Sequence, residues 1–285
     1  MLVTRIITGI IGGALTIFVI YEGNWLFFLT ILLLAFLGWR EYASMVAKVD
    51  GHASTVAGAI WMALFFGAWW FESPRLCMLL FFVLMAGLLI GTVVFHNRIK
   101  PLDSAYSLYG LLYIGGGFLS MLAIRNGMIG SFTTEFFNPV MAEPSRFLMF
   151  LLIFSTWASD TFAFAFGKAL GKVKLCPSIS PGKTREGALG GFIGTIVIAL
   201  IVSFVFGFAL IHGLAMGIII AIMAPLGDLV ESILKRNCGI KDSGNIIPGH
   251  GGVLDRFDSL LLAAPAVYLL SLIHISEPTR LLSIS

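Results

Sequence analysis

A bundle of membrane-spanning α-helices is the fold this sequence predicts, and three features predict it. Of its 285 residues, 58% are hydrophobic and only 12% are charged, about half the charged share of an ordinary soluble domain, roughly 25%. Mean hydropathy is +0.98, so too little polar surface exists to coat a globule and lipid must solvate most of the chain. The apolar residues also come in long continuous runs, not in the short alternating segments of a β-barrel.

The runs lie at 6–21, 25–37, 56–71, 76–95, 106–124, 147–167, 188–211, 214–231 and 256–272. A spanning helix needs roughly 20 apolar residues, so nine would consume about 180, leaving no room for a large soluble domain. The expected unit is one membrane-embedded domain over 1–269. Met1 to Arg5 precede the first run, no small-residue cleavage site follows, and an uncleaved first span is expected. The second run is short; it extends into 38–45 if Arg40 and Glu41 snorkel. Cys77, Cys176 and Cys238 form no C-x-x-C pair, which suggests neither a disulfide framework nor zinc.

Placing the N-terminus in the cytoplasm assigns 14 Lys and Arg residues to inside segments and three, Arg75, Arg125 and Arg146, to outside ones. The positive-inside rule therefore predicts nine spans with the N-terminus inside. Two inside loops stand out by length and charge, 168–187 and 232–255. The outside segment 125–146 reads as a connecting loop. No internal repeat of the transporter kind is visible. From Leu270 the chain reads Leu-Ser-Leu-Ile-His-Ile-Ser-Glu-Pro-Thr-Arg, which resembles a translated sequencing adapter. Residues 270–285 are read as a non-native tail.

Pro225 is expected to interrupt the eighth run. Beyond it, Asp228, Glu231 and Lys235 follow at spacings of three and four, which share one helix face. Carboxylates at that depth are costly unless paired or metal-bound. Gly239, Gly244, Gly249, Gly251 and Gly252 then offer backbone N–H groups to an anion. Lys235, Arg236, Lys241 and Arg256 surround them with positive charge. Asp255 and Asp258, three apart, open the last run. Carboxylates, basic residues and a glycine-rich turn together form the parts of a metal-assisted phosphoryl-transfer site.

A second set lies upstream. Ser159 and Asp160 sit in the sixth run, Asp160 about 10 Å from its end at Gly167. Small neighbours there permit close packing or a polar cavity. Ser180-Pro181-Gly182-Lys183-Thr184-Arg185 has part of a P-loop but lacks its first glycine and its strand, so a Walker A reading fails. Lys183 and Arg185 remain candidates for phosphate contact. His250 is open between acid–base chemistry, phosphate donation and a turn-structuring role. His52, His96 and His212 fall at span ends.

The string Ser232-x-x-Lys235-Arg236-x4-Lys241-Asp242-x5-Pro248-Gly249-His250-Gly251-Gly252-x-x-Asp255-Arg256-x-Asp258 resembles the signature of the phosphatidate cytidylyltransferase (CDP-diacylglycerol synthase) family. Gly227-Asp228-x-x-Glu231-Ser232, Ser159-Asp160 and Ser180-Pro181-Gly182-Lys183-Thr184-x-Glu186-Gly187 also resemble it, and the likeness covers 1–269. It implies transfer of the cytidylyl group of CTP to phosphatidic acid, giving CDP-diacylglycerol and pyrophosphate. It implies Asp228 and Asp255 as Mg²⁺ ligands, and admits a second, monovalent cation such as K⁺. Asp258 and Glu231 would be further ligands or their supports. Lys235, Arg236, Lys241, Arg256, Lys183 and Arg185 would hold phosphates. Gly251 and Gly252 would contribute backbone, and Ser159 with Asp160 would line the cavity. The implied partners are CTP, phosphatidic acid and the lipid bilayer, with a homodimer admitted and no nucleic acid. The implied location is the bacterial inner membrane, active site facing the cytoplasm. The alternatives are a CTP transferase acting on another lipid phosphate, and an ion-coupled transporter.

Overall fold

The structure, a computed structural model, describes residues 2–127, 143–246, 249 and 251–273. It is all-α apart from one small hairpin. In order come α1 (Leu2–Glu22), α2 (Asn24–Val46), α3 (Thr55–Trp70), α4 (Pro74–Val94), α5 (Pro101–Gly110), α6 (Gly116–Arg125) and α7 (Pro144–Leu170). Strands β1 (Lys174–Cys176) and β2 (Ser180–Thr184) follow, then α8 (Arg185–Phe206), α9 (Leu210–Asn237) and α10 (Leu254–Ile273). Prolines at the first turn start α4, α5 and α7, where a missing N–H costs nothing. The Ser54 and Thr184 hydroxyls cap α3 and α8 by accepting the N–H groups of Ala57 and Gly187.

Each of the nine apolar runs is largely helical, but the seventh, 188–211, breaks at 207–209, where Gly207 in the left-handed region ends α8. Among the described residues, six segments are long and apolar enough to cross a membrane: Asn24–Val49, Pro74–Val94, Pro101–Arg125, Pro144–Leu170, Arg185–Phe206 and Leu210–Asn237. Ile7–Glu22 and Thr55–Trp70 are shorter apolar helices. α10 is 20 residues long but carries Asp255, Arg256 and Asp258 in its opening turns.

Several expectations need correction. The fifth run is not one uniform helix: Leu111–Gly115 forms a π-helical turn between α5 and α6. Pro225 does not interrupt its run, because α9 continues through it from Leu210 to Asn237; the proline removes one backbone donor while neighbouring turns hold. The inside loop 168–187 is mostly ordered: α7 runs on to Leu170, and β1 pairs antiparallel with β2, Lys174 opposite Thr184 and Cys176 opposite Ser180. Glu41 does not snorkel; it is 4% exposed. Arg125 is no loop residue either: its Nε donates to the Ile20 carbonyl at 2.6 Å and its Nη2 to that of Tyr21 at 3.1 Å, closing the C-terminal end of α1. Most of the outside segment, and the tail from His274, lie outside the described residues.

Helices in lipid gain little from burying apolar surface, so close packing must hold them together. α8 lies on α7 through small residues: a side-chain carbon added at Gly191 would stand 2.9 Å from the Ser159 carbonyl oxygen and 3.0 Å from the Ala163 methyl. α9 approaches α10 at Gly227, where an added carbon would meet the Asp258 backbone oxygen at 2.5 Å. α6 meets α10 at Gly117, against Leu261, and through Phe118 and Phe257, whose ring centroids are 5.4 Å apart. These contacts gather α6 through α10 around one polar centre. By contrast, Leu84 is the one buried residue of α4.

Candidate active site

The centre lies where α7, α9, α10 and the hairpin converge. Hairpin placement starts with Glu186, whose carboxylate accepts the N–H groups of Lys172 at 3.1 Å and Val173 at 3.3 Å. The Val173 carbonyl in turn accepts the Arg185 N–H at 2.9 Å. This clamp holds β2 so that Lys183 reaches across to α9, its Nζ 2.7 Å from Asp228 Oδ2. Ser232, one turn beyond on the same face, donates to Asp228 Oδ1 at 3.2 Å. Asp228 and Lys183, with Ser159, Asp160 and Pro225, line a cavity of about 470 Å³ between the hairpin, α7, α8 and α9.

A second pair sits deeper. Lys235 Nζ lies 2.6 Å from Glu231 Oε2, one turn earlier on α9, and 2.7 Å from Asp255 Oδ1 on α10. Asp255 Oδ2 accepts three further hydrogen bonds, from the Ser243 N–H and hydroxyl, each at 3.0 Å, and from the Gly252 N–H at 2.8 Å. Gly251, just before, has φ +86° and its missing Cβ would press on the same carboxylate, so glycine is required there for conformation and for space.

Behind Asp255 stands Glu41 of α2. Its Oε1 accepts the Val253 N–H at 2.8 Å; its Oε2 accepts the Leu254 N–H at 2.9 Å and lies 3.1 Å from the Ser243 hydroxyl, whose one proton it shares with Asp255. A buried carboxylate thus caps α10 from a distant helix, satisfying orphan donors and complementing the positive helix end.

Asp258 lies within electrostatic reach of Asp160, Asp228 and Glu231, and Asp160 within reach of Asp228; Lys183 and Arg256 offset Asp160, and Lys235 offsets Glu231. Glu231 is fully buried, yet its Oε1 has no hydrogen-bond partner. The hydroxyls of Ser155 and Ser159 on α7, Ser259 on α10 and Tyr113 in the π turn are likewise buried without partners. Such orphans are rare in native proteins, and these cluster on α7, α9, α10 and the π turn, while Trp69 Nε1 and Arg146 Nε are orphaned elsewhere. Tyr113 lies one turn before Gly117, which packs on Leu261, so it stands level with Phe257 and Asp258. Its hydroxyl is within electrostatic reach of Asp258, Glu231 and Asp228.

The structure therefore brings together Ser159, Asp160, Lys183, Asp228, Glu231, Lys235, Asp255 and Asp258. Arg256 is exposed but within reach of Asp160. Arg236 is exposed and donates to the Ile179 carbonyl in the hairpin turn at 3.5 Å. Arg185 and Lys241 are exposed, and neither lines the cavity. Gly252, expected to offer its N–H to phosphate, spends it on Asp255. His250 lies outside the described residues. Glu41, Ser243 and Tyr113 were not singled out from the sequence. Glu41 looked like one polar residue at a span end, and the π turn that aims Tyr113 has no signature in the local sequence.

No group of three or more Asp, Glu, His or Cys side chains among the described residues converges as a ready metal site. Mg²⁺ asks for less, one or two carboxylates with substrate phosphates and water completing the shell. The acidic cluster, with an unpartnered carboxylate oxygen on Glu231, fits an oxygen-liganded cation. Asp228, 30% exposed, is the accessible member; Asp255, 6% exposed, already holds Lys235.

Carboxylates and lysines thus stand together beside a cavity under the hairpin, inside a helical membrane bundle. The model of the cytidylyltransferase family matches residues 3–274, and the chain belongs to that family. It is 36% identical to a phosphatidate cytidylyltransferase of Synechocystis sp. over 282 residues, 93% of this chain and 94% of the relative. Against the proteins of that name from Staphylococcus saprophyticus and Staphylococcus haemolyticus, identity is 35% and 34% over 273 residues, 93% of this chain and 97% of each relative.

Proposed function

We propose that this chain transfers the cytidylyl group of CTP to phosphatidic acid, giving CDP-diacylglycerol and pyrophosphate. The observation that carries the reading is the Lys183–Asp228 pair lining the cavity, with Lys235–Asp255 further along the same helix α9, in a chain matched to cytidylyltransferases along nearly its whole length.

A phosphate oxygen of the lipid attacks the α-phosphorus of CTP. The new P–O bond forms as the bond from the α-phosphorus to the bridging oxygen of the β-phosphate breaks, and pyrophosphate leaves with that electron pair. The nucleophile is already anionic, so no general base is required. Lys183 holds a phosphate once it is drawn from Asp228, and Arg256 adds charge at the cavity edge. Lys235 bridges Glu231 on α9 and Asp255 on α10 and sets their spacing. Ser159 and Asp160 form the wall facing the hairpin and offer hydrogen bonds to cytidine or the lipid phosphate. Asp228 and Asp255, with Glu231 and Asp258 beside them, would hold Mg²⁺, which supplies charge neutralisation on the triphosphate and leaving group. Positioning and electrostatics account for most of such a transfer.

The proposed setting is nine spans with the N-terminus and both charged loops on the cytoplasmic face of a bacterial inner membrane, since CTP is water-soluble and phosphatidic acid is not. The test is product analysis in detergent micelles with CTP, Mg²⁺ and a panel of lipid phosphates. CDP-diacylglycerol should accumulate with phosphatidic acid. Product from a dialkyl glycerophosphate, and none from phosphatidic acid, would move the assignment to another lipid.

A further inference from the structure

A second, larger cavity of about 850 Å³ lies among α2, α3, α4, α5 and the segment joining α2 to α3. It shares no lining residue with the catalytic cavity. Its two ends differ in chemistry. At one end stand Arg40, Arg98 and His52, all exposed, together with Ser54 and Thr55, the start of α3. Toward mid-helix the wall is Trp61, Leu84, Leu88 and Leu111.

Neither arginine has an ion-pair partner among the described residues. The one carboxylate lining the cavity, Asp103, is 6% exposed, and its oxygens accept the N–H groups of His52 and Lys100, both at 2.8 Å. It braces the loop and leaves the arginines unneutralised. The positive end of α3 adds to the field at the same end. Guanidinium pairs bind phosphate by forked hydrogen bonds, and an apolar floor beneath them suits a hydrocarbon chain. The volume falls in the usual range for ligand sites, about 300–1,000 Å³. A soluble nucleotide would leave that floor empty, and a neutral lipid would leave the arginines unpaired.

We propose that this cavity binds one anionic phospholipid, headgroup phosphate on Arg40 and Arg98 and an acyl chain against Trp61 and Leu88, as a site separate from the catalytic one.

Native mass spectrometry of the full chain, released from a zwitterionic detergent with added phosphatidylglycerol, tests the proposal without turnover. Two variants probe the two ends: Arg40→Gln with Arg98→Gln, and Gly87→Leu. Gly87 lines the cavity, and a side-chain carbon added there meets nothing within 4 Å, so leucine fills the space without strain. The wild type should retain one more phosphatidylglycerol than either variant, with apparent affinity at least about tenfold higher. Phosphatidylcholine with the same chains should not be retained, and millimolar inorganic phosphate should not displace the lipid. Cytidylyl transfer by both variants in micelles reports that they are folded. Equal lipid retention by wild type and folded variants overturns the proposal. So does equal retention of phosphatidylcholine, or displacement by phosphate alone.

Discussion

Glu41 is the residue on which the geometry of the acidic centre most depends. It is buried, accepts two backbone N–H groups and a hydroxyl, and sits behind the residues that hold Asp255. Hydrogen bonds to a charged group contribute roughly 1.5–3 kcal/mol each, and leaving donors unpaired adds to the loss. Glu41→Ala is expected to cost at least about 2 kcal/mol, read as a lowered thermal midpoint in micelles, and to reduce turnover. Glu41→Gln, which keeps one acceptor, should recover part of both. Tyr113 behaves differently. Its hydroxyl has no partner to lose, so Tyr113→Phe should leave the midpoint unchanged or raised. If the hydroxyl serves bound substrate, kcat should fall about tenfold, near 1.4 kcal/mol in the barrier. A variant with unaltered kcat would remove Tyr113 from the site.

At the scale of elements, the hairpin and the paired helices carry the chemistry. Lys183→Met removes the one cation that β2 delivers to Asp228. Because the pair is about one-third exposed, stability should change little, while KM for CTP rises. A variant with unaltered KM would mean that Lys183 serves Asp228 alone. The α7–α8 contact is tighter. Gly191→Val would drive side-chain carbons against the Ser159 carbonyl and the Ala163 methyl, so folded protein recovered after purification should fall sharply, whereas Gly67→Ala, which faces open space, should be tolerated. What the sequence revealed at this scale follows from what each element rests on. Lys235 and its spacing from Glu231 were readable, because i,i+4 geometry is local. The strand pair was not, since Ser180-Pro181-Gly182-Lys183-Thr184 has no alternating apolar pattern; its placement comes from Glu186 clamping Lys172 and Val173. Glu41 was misplaced for the same reason, as its partners lie more than 200 positions away.

For the whole molecule, composition and run length were enough to identify a helical membrane protein, and the charge count gave an orientation that accessibility labelling can test. Single cysteines placed at Ser178 in the hairpin turn and at Glu72 between α3 and α4, in a background without native cysteines, should react with an impermeant thiol reagent from opposite faces. Labelling of both from one face would contradict nine spans. The most direct measurement of the central claim is pyrophosphate release in micelles containing CTP, phosphatidic acid and Mg²⁺, comparing the wild type with Asp255→Asn. Release should require all three components and fall at least about a hundredfold in a variant that still folds, a loss near 2.7 kcal/mol. Release by the Asp255→Asn variant at the wild-type rate, or release independent of phosphatidic acid, would contradict it.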